Sequence, residues 1–100
     1  MMEFLNKLEK TVFDRMNPEQ AHYHKTLLKD VVDQLSKVEN VRLGDNAKGR
    51  ALVTLEIAEY RGRYFQRELS NHLTVNEANQ LSLIREAVQN TINGVKNWRP

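Results

Sequence analysis

Residues 50–69 decide what this chain can fold into, because two periodicities compete for them. Ala51, Leu55, Ala58, Gly62, Phe65 and Leu69 recur at intervals of four and three without a miss. On a helix they fall within roughly 40° of one line. Val53, Leu55 and Ile57 alternate instead with Thr54, Glu56 and Ala58, the period of a half-buried strand. In that second reading Gly62 turns a hairpin from the left-handed position of a three-residue loop. Phe65 and Leu69 then return to the face of Val53 and Ile57, and Val41 and Leu43 supply a third strand.

The helix accounts for more residues. Ala58 and Gly62 are small and sit mid-stripe, where they admit a second helix at close range. Glu59 precedes Arg63 by four, the favourable order for an ion pair along a helix. The remaining residues are mostly Leu, Glu, Gln and Arg, good helix formers, against a cost of about 1 kcal/mol for Gly62 relative to alanine.

The flanking segments are helical by the same criterion. Leu5, Leu8, Val12 and Met16 form one stripe, flanked by Phe4 and Phe13. Asn17-Pro18 ends that helix and starts the next. Proline drives the residue before it out of helical space, suits the first helical position itself, and follows a good N-cap. Gln20 is placed to reach back as in a capping box. Ala21, Leu28, Val31, Leu35 and Val38 form the second stripe, with Leu27 and Val32 beside it. Residues 39–49 hold Gly44, Asp45, Asn46 and Gly49 and read as the longest loop. Thr74 and Glu77 make a capping box ahead of Leu81, Ile84, Val88 and Val95, with Ile92 adjacent. Gly94 weakens the end of that helix, and Trp98 and Pro100 close the chain. The expected fold is an all-α four-helix bundle, with helices at about 3–16, 18–37, 47–69 and 74–97. The alternative is α+β, with a β-meander at about 40–69 between helices. A chain of 100 residues is read as a single domain.

Composition excludes several classes of function. The chain has no cysteine, so it has neither a disulfide framework nor thiolate chemistry, which is compatible with the cytoplasm. The start, Met1-Met2-Glu3-Phe4-Leu5, lacks the basic and continuous apolar regions of a signal peptide. No run is long and apolar enough for a membrane span, so no membrane partner is expected. Net charge is +2 and pI about 9.0. Residues 1–40 carry six cations and seven carboxylates, and the rest carries nine against six, mostly arginine. A dedicated nucleic-acid binder concentrates more positive charge than this.

No catalytic constellation is expected. His22 and His24 lie two apart, on different helical faces, and cannot chelate one metal as an i, i+4 pair does. With His72 they read as solvated histidines. Asp30 with Asp33, and Glu56 with Glu59, read as charges on outer helix faces. Gly44 and Gly49 lack the Lys-Ser/Thr ending of a phosphate loop. Neither metal nor cofactor is called for.

Two surfaces stand out. If residues 50–69 are helical, Val53, Ile57, Tyr60 and Tyr64 form a second apolar stripe opposite the first. Either the helix is central and touches neighbours on both sides, or this stripe meets a protein partner, for which tyrosine is well suited. Arg61, Arg63 and Arg67 with Tyr60, Tyr64 and Phe65 are a basic-aromatic cluster of the kind that holds phosphates and stacks bases. Arg42, Lys48 and Arg50 would extend it. The expectation is a non-enzymatic protein-binding module, a homo-oligomer or an inhibitor or adaptor of bacterial or phage type. A nucleic-acid-binding accessory protein is the alternative. The format is similar to bacteriocin-immunity-like bundles and phage-encoded inhibitors, a likeness of architecture that fixes no function.

Overall fold

In the computed structural model, which describes residues 2–43 and 47–97, four helices follow one another: α1 (Met2–Asp14), α2 (Pro18–Leu43), α3 (Ala47–Glu68) and α4 (Val75–Asn97). A 3₁₀ turn over Ser70–His72 joins the last two. There is no strand among the described residues, so the helical reading of residues 50–69 holds and the β-meander is overturned. Val41 and Leu43, which the meander would have used, belong to the last turn of α2. The long loop expected over 39–49 is a second correction. Residues 39–43 contain no helix breaker, so α2 runs on to Leu43, and Gly49 lies inside the first turn of α3. Gly44, Asp45, Asn46, Trp98 and Pro100 lie outside the described residues, as do the side chains of Val38, Val41, Arg42 and Leu43.

The corners are built by local hydrogen bonds. Asn17 caps α2: its Oδ1 accepts from the Gln20 amide at 2.9 Å, and its carbonyl accepts from the Ala21 amide at 2.9 Å. Gln20 makes no return bond through its side chain, so this is a simple cap and not a box. The box ahead of α4 is complete. The Glu77 amide donates to Thr74 Oγ1 at 3.1 Å, and the Thr74 amide donates to Glu77 Oε1 at 2.9 Å. Arg15 then ties the end of α1 to this corner. It donates to the Glu77 carboxylate at 2.5 and 2.9 Å and to the His72 carbonyl at 2.8 Å.

The helix α3 is central. It packs most extensively on α4 and α2 and also contacts α1. Its first stripe is buried at Leu55, Ala58, Gly62, Phe65 and Leu69, but Ala51 is exposed. Side chains of α4 pack tightly against Gly62. A Cβ there would stand 3.0 Å from Arg85 Cγ and 3.5 Å from Leu81 Cδ1. Phe65 is 0% exposed and meets Phe13 of α1 at 5.8 Å between ring centroids. Leu5, Leu8, Val12, Leu28, Leu81, Val88 and Ile92 complete the core around them. Burying each such side chain contributes about 1.5–3 kcal/mol.

α1 is much shorter than the others, and it lies beside the C-terminal part of α3. Asn6 and Glu9 reach Arg61, and Phe13 reaches Phe65. Four helices therefore stand side by side at one end of the molecule, and α2, α3 and α4 continue beyond α1 at the other. The molecule is elongated accordingly, 47 × 26 × 19 Å.

Candidate functional site

Half of the second stripe of α3 is spent inside the fold. Val53 and Tyr64 are buried, and Ile57 and Tyr60 are half-buried. Tyr64 Oη lies 2.7 Å from His24 Nδ1, and its ring packs at 6.3 Å from both Tyr60 and Phe65. Burial raises the Tyr64 phenol above its ordinary value, with the charges of Tyr60, Glu68 and Tyr23 adding to the shift. α3 needs both faces because it has neighbours on both sides. His24, expected in solvent, is thus half-buried, bonded and stacked; His22 is exposed, and His72 is half-buried beside the last corner. The spacing of His22 and His24 already put them on different faces. Nothing local to residues 22–24 could indicate that the inner one would meet Tyr64, forty positions away.

The arginines do not assemble into one patch. Arg61 is 7% exposed; its Nε donates to Glu9 Oε1 at 2.8 Å and a terminal nitrogen donates to Asn6 Oδ1 at 2.7 Å. Arg63 is half-buried on a different side, 5.7 Å over the Tyr60 ring, where it lines a cleft with Val31, Leu35 and Gln89. Arg67 alone is exposed. The Glu59–Arg63 pair expected along the helix is replaced by a tertiary one. Glu59 pairs with Arg85 of α4 at 3.0 Å, and Arg85 also donates to Gln66.

What the fold creates instead is a groove of about 580 Å³ where α1, α2 and α3 meet. Phe13, Leu28, Val32 and Ile57 form its apolar part. Lys10, Lys25 and Lys29 stand around it, all exposed. The Lys25 ammonium lies 5.5 Å from the Phe13 ring centroid. None of the three lysines has a carboxylate within 4 Å among the described residues, while the one carboxylate in the lining, Glu9, is committed to Arg61. The groove thus takes one residue from each expected surface, Ile57 from the apolar stripe and Arg61 from the basic cluster. Sequence reading missed the rest because the groove's residues come from three helices. Its one legible sign is Lys25 and Lys29, a like-charge i, i+4 pair that costs helix stability without helping the isolated helix.

The outer side of α2 is different. Glu19, His22, Tyr23, Thr26, Leu27 and Asp30 share a shallow depression of about 290 Å³. Tyr23 is 62% and Leu27 41% exposed, large for apolar side chains, and Glu19, Asp30 and Asp33 have no cation within 4 Å among the described residues. Leu27 was expected at the margin of the buried stripe and lies outside it.

Among the described residues, no group of three or more His, Asp or Glu side chains could hold a metal ion, and no helix is long and apolar enough to cross a membrane. The chain was compared with models of known protein families, with curated proteins and with solved structures, and none matches.

Proposed function

We propose that this chain is a non-enzymatic protein-binding module that receives an acidic, amphipathic helix of a partner in the groove between α1, α2 and α3. The observation that carries this reading is an apolar groove edged by three lysines that have no carboxylate within 4 Å among the described residues. Its volume of about 580 Å³ is within the common range for ligand sites. An amphipathic helix fits such a groove by laying apolar anchors along the floor. Carboxylates on its flanks would meet Lys10, Lys25 and Lys29, which speeds encounter and selects against basic partners. Relative to the stripe of Val53, Ile57, Tyr60 and Tyr64, the contact surface moves to the groove, where half-buried Val32 and Ile57 and the three exposed lysines remain accessible. The nucleic-acid reading loses support, since Arg61 is paired and Arg63 faces elsewhere.

The test is a titration, followed by NMR, with a synthetic helical peptide of leucine, alanine and glutamate. A matching peptide with lysine in place of glutamate serves as the control. Saturable shifts at Phe13, Leu28, Val32 and Ile57 with the acidic peptide alone are the expected result. Lys29→Glu should weaken the binding by about tenfold. Equal shifts with both peptides, or none that saturate, would overturn the proposal.

A further inference from the structure

The helix α2 carries two unsatisfied surfaces of opposite character. On the groove side are Lys25 and Lys29 with apolar Leu28 and Val32. On the outer side are Glu19 and Asp30 with exposed Tyr23 and Leu27. The charges at the two surfaces differ in sign: Lys25 and Lys29 edge the groove, Glu19 and Asp30 edge the outer depression, and none of the four has an ion-pair partner within 4 Å among the described residues. For a solitary helix this arrangement is unfavourable, since Lys25 and Lys29 are like charges one turn apart. The acidic face has the form of the ligand that the groove calls for, an i, i+4 pair of apolar anchors, Tyr23 and Leu27, flanked by carboxylates.

From this complementarity we infer that the groove's occupant is a second copy of this chain, docking through the outer face of its own α2. The inference rests on the groove being a binding site, and it adds the identity of the partner. Tyr23 and Leu27 of one copy lie along Leu28, Val32 and Ile57 of the other, and Glu19 and Asp30 meet Lys25 and Lys29. Each copy carries both a groove and an outer face, so the contact is heterologous, one copy's outer face meeting the other's groove.

Charge reversal on exposed positions tests this without disturbing the core. Lys25→Glu with Lys29→Glu makes both faces of α2 acidic. Glu19→Lys with Asp30→Lys makes both more basic. Sedimentation of the wild type up to about 1 mM, where even weak association is populated, should show self-association. Each double variant alone should associate at least about tenfold more weakly, and an equimolar mixture should recover wild-type association. Circular dichroism on each variant checks that the helices are retained. Three outcomes would overturn the inference: a wild type that stays monomeric, variants that associate unchanged, or a mixture that does not recover. If the wild type is monomeric while the acidic peptide still fills the groove, the self-docking inference alone falls. If the peptide fails as well, the groove reading falls with it.

Discussion

The two ends of the bundle are held in different ways. At the end where α1 finishes, four helices converge on Phe65, which is fully buried against Phe13, and on Leu8, Val12 and Leu69. That end is also locked by polar bonds: the Asn17 cap, the Thr74–Glu77 box and Arg15 joining α1 to both Glu77 and His72. At the other end Ala47, Ala51, Thr91, Gly94 and Val95 surround a shallow, nearly apolar cleft of about 420 Å³. Two long-range polar contacts there are Lys96 to Glu56 at 3.9 Å and the Lys48 ammonium to the Lys96 carbonyl at 3.2 Å. The difference shows where stability is concentrated. A fourth helix allows large side chains to be enclosed, whereas α3 and α4 meeting through small residues leave apolar surface open.

Truncating the closed end should therefore have the largest effect. Phe65→Ala empties the centre of the four-helix packing and should cost about 3–5 kcal/mol, read as a drop in the urea midpoint. A loss below about 1 kcal/mol would mean that the closed end is no better packed than the open one. A smaller change of opposite sign is expected at the open end. Gly94 lies within α4, and a Cβ added there meets nothing within 4 Å. Gly94→Ala should accordingly stabilise by up to about 1 kcal/mol through helix propensity. Gly62 is the contrast, since its missing Cβ is what lets Arg85 and Leu81 approach.

The smallest effect concerns pH. The Glu77 carboxyl is held down to about 2 from an ordinary 4.5, chiefly by its hydrogen bonds from Arg15, with the Thr74 amide adding to this and partial burial opposing it. A depressed acid stabilises the fold fully above its unfolded value and ceases to do so as pH falls through its folded value. The contribution is therefore present above about pH 4.5 and lost on the way to about 2. Glu77→Gln keeps a side chain able to accept from Thr74 but removes the charge. The variant should be less stable than the wild type at neutral pH, and the gap should close between those two values. A gap that persists in acid would show that the charge held by Arg15 is not what Glu77 contributes.

Much of the architecture was legible because its causes are local. Asn17-Pro18 and Thr74…Glu77 mark helix starts by bonds that close within one turn, and the stripes of α1, α3 and α4 repeat every turn. Less was legible where distant residues intervene. Glu59 and Arg63 have the right spacing to pair, yet Arg85 of α4 claims the glutamate. Residues 39–43 read as loop because turn formers follow them, yet nothing within them stops a helix. The candidate site was the least legible part. Its lysines and its apolar floor are drawn from positions 10 to 57, and Val53 and Tyr64, prominent in sequence, are covered by neighbours.

The sequence by itself determined that this chain is a set of amphipathic helices, and that the helix over residues 47–68 carries apolar side chains on two sides. Both follow from periodicity and capping, which depend on residues a turn apart. Only the tertiary structure decided that Val53 and Tyr64 on the second side are consumed internally. It also decided that Arg61 is neutralised by Glu9, and that the accessible apolar surface lies in the groove beside α1 and on the outer face of α2. Those outcomes depend on which helices stand on either side of α3, and so on contacts between residues tens of positions apart that no local pattern encodes.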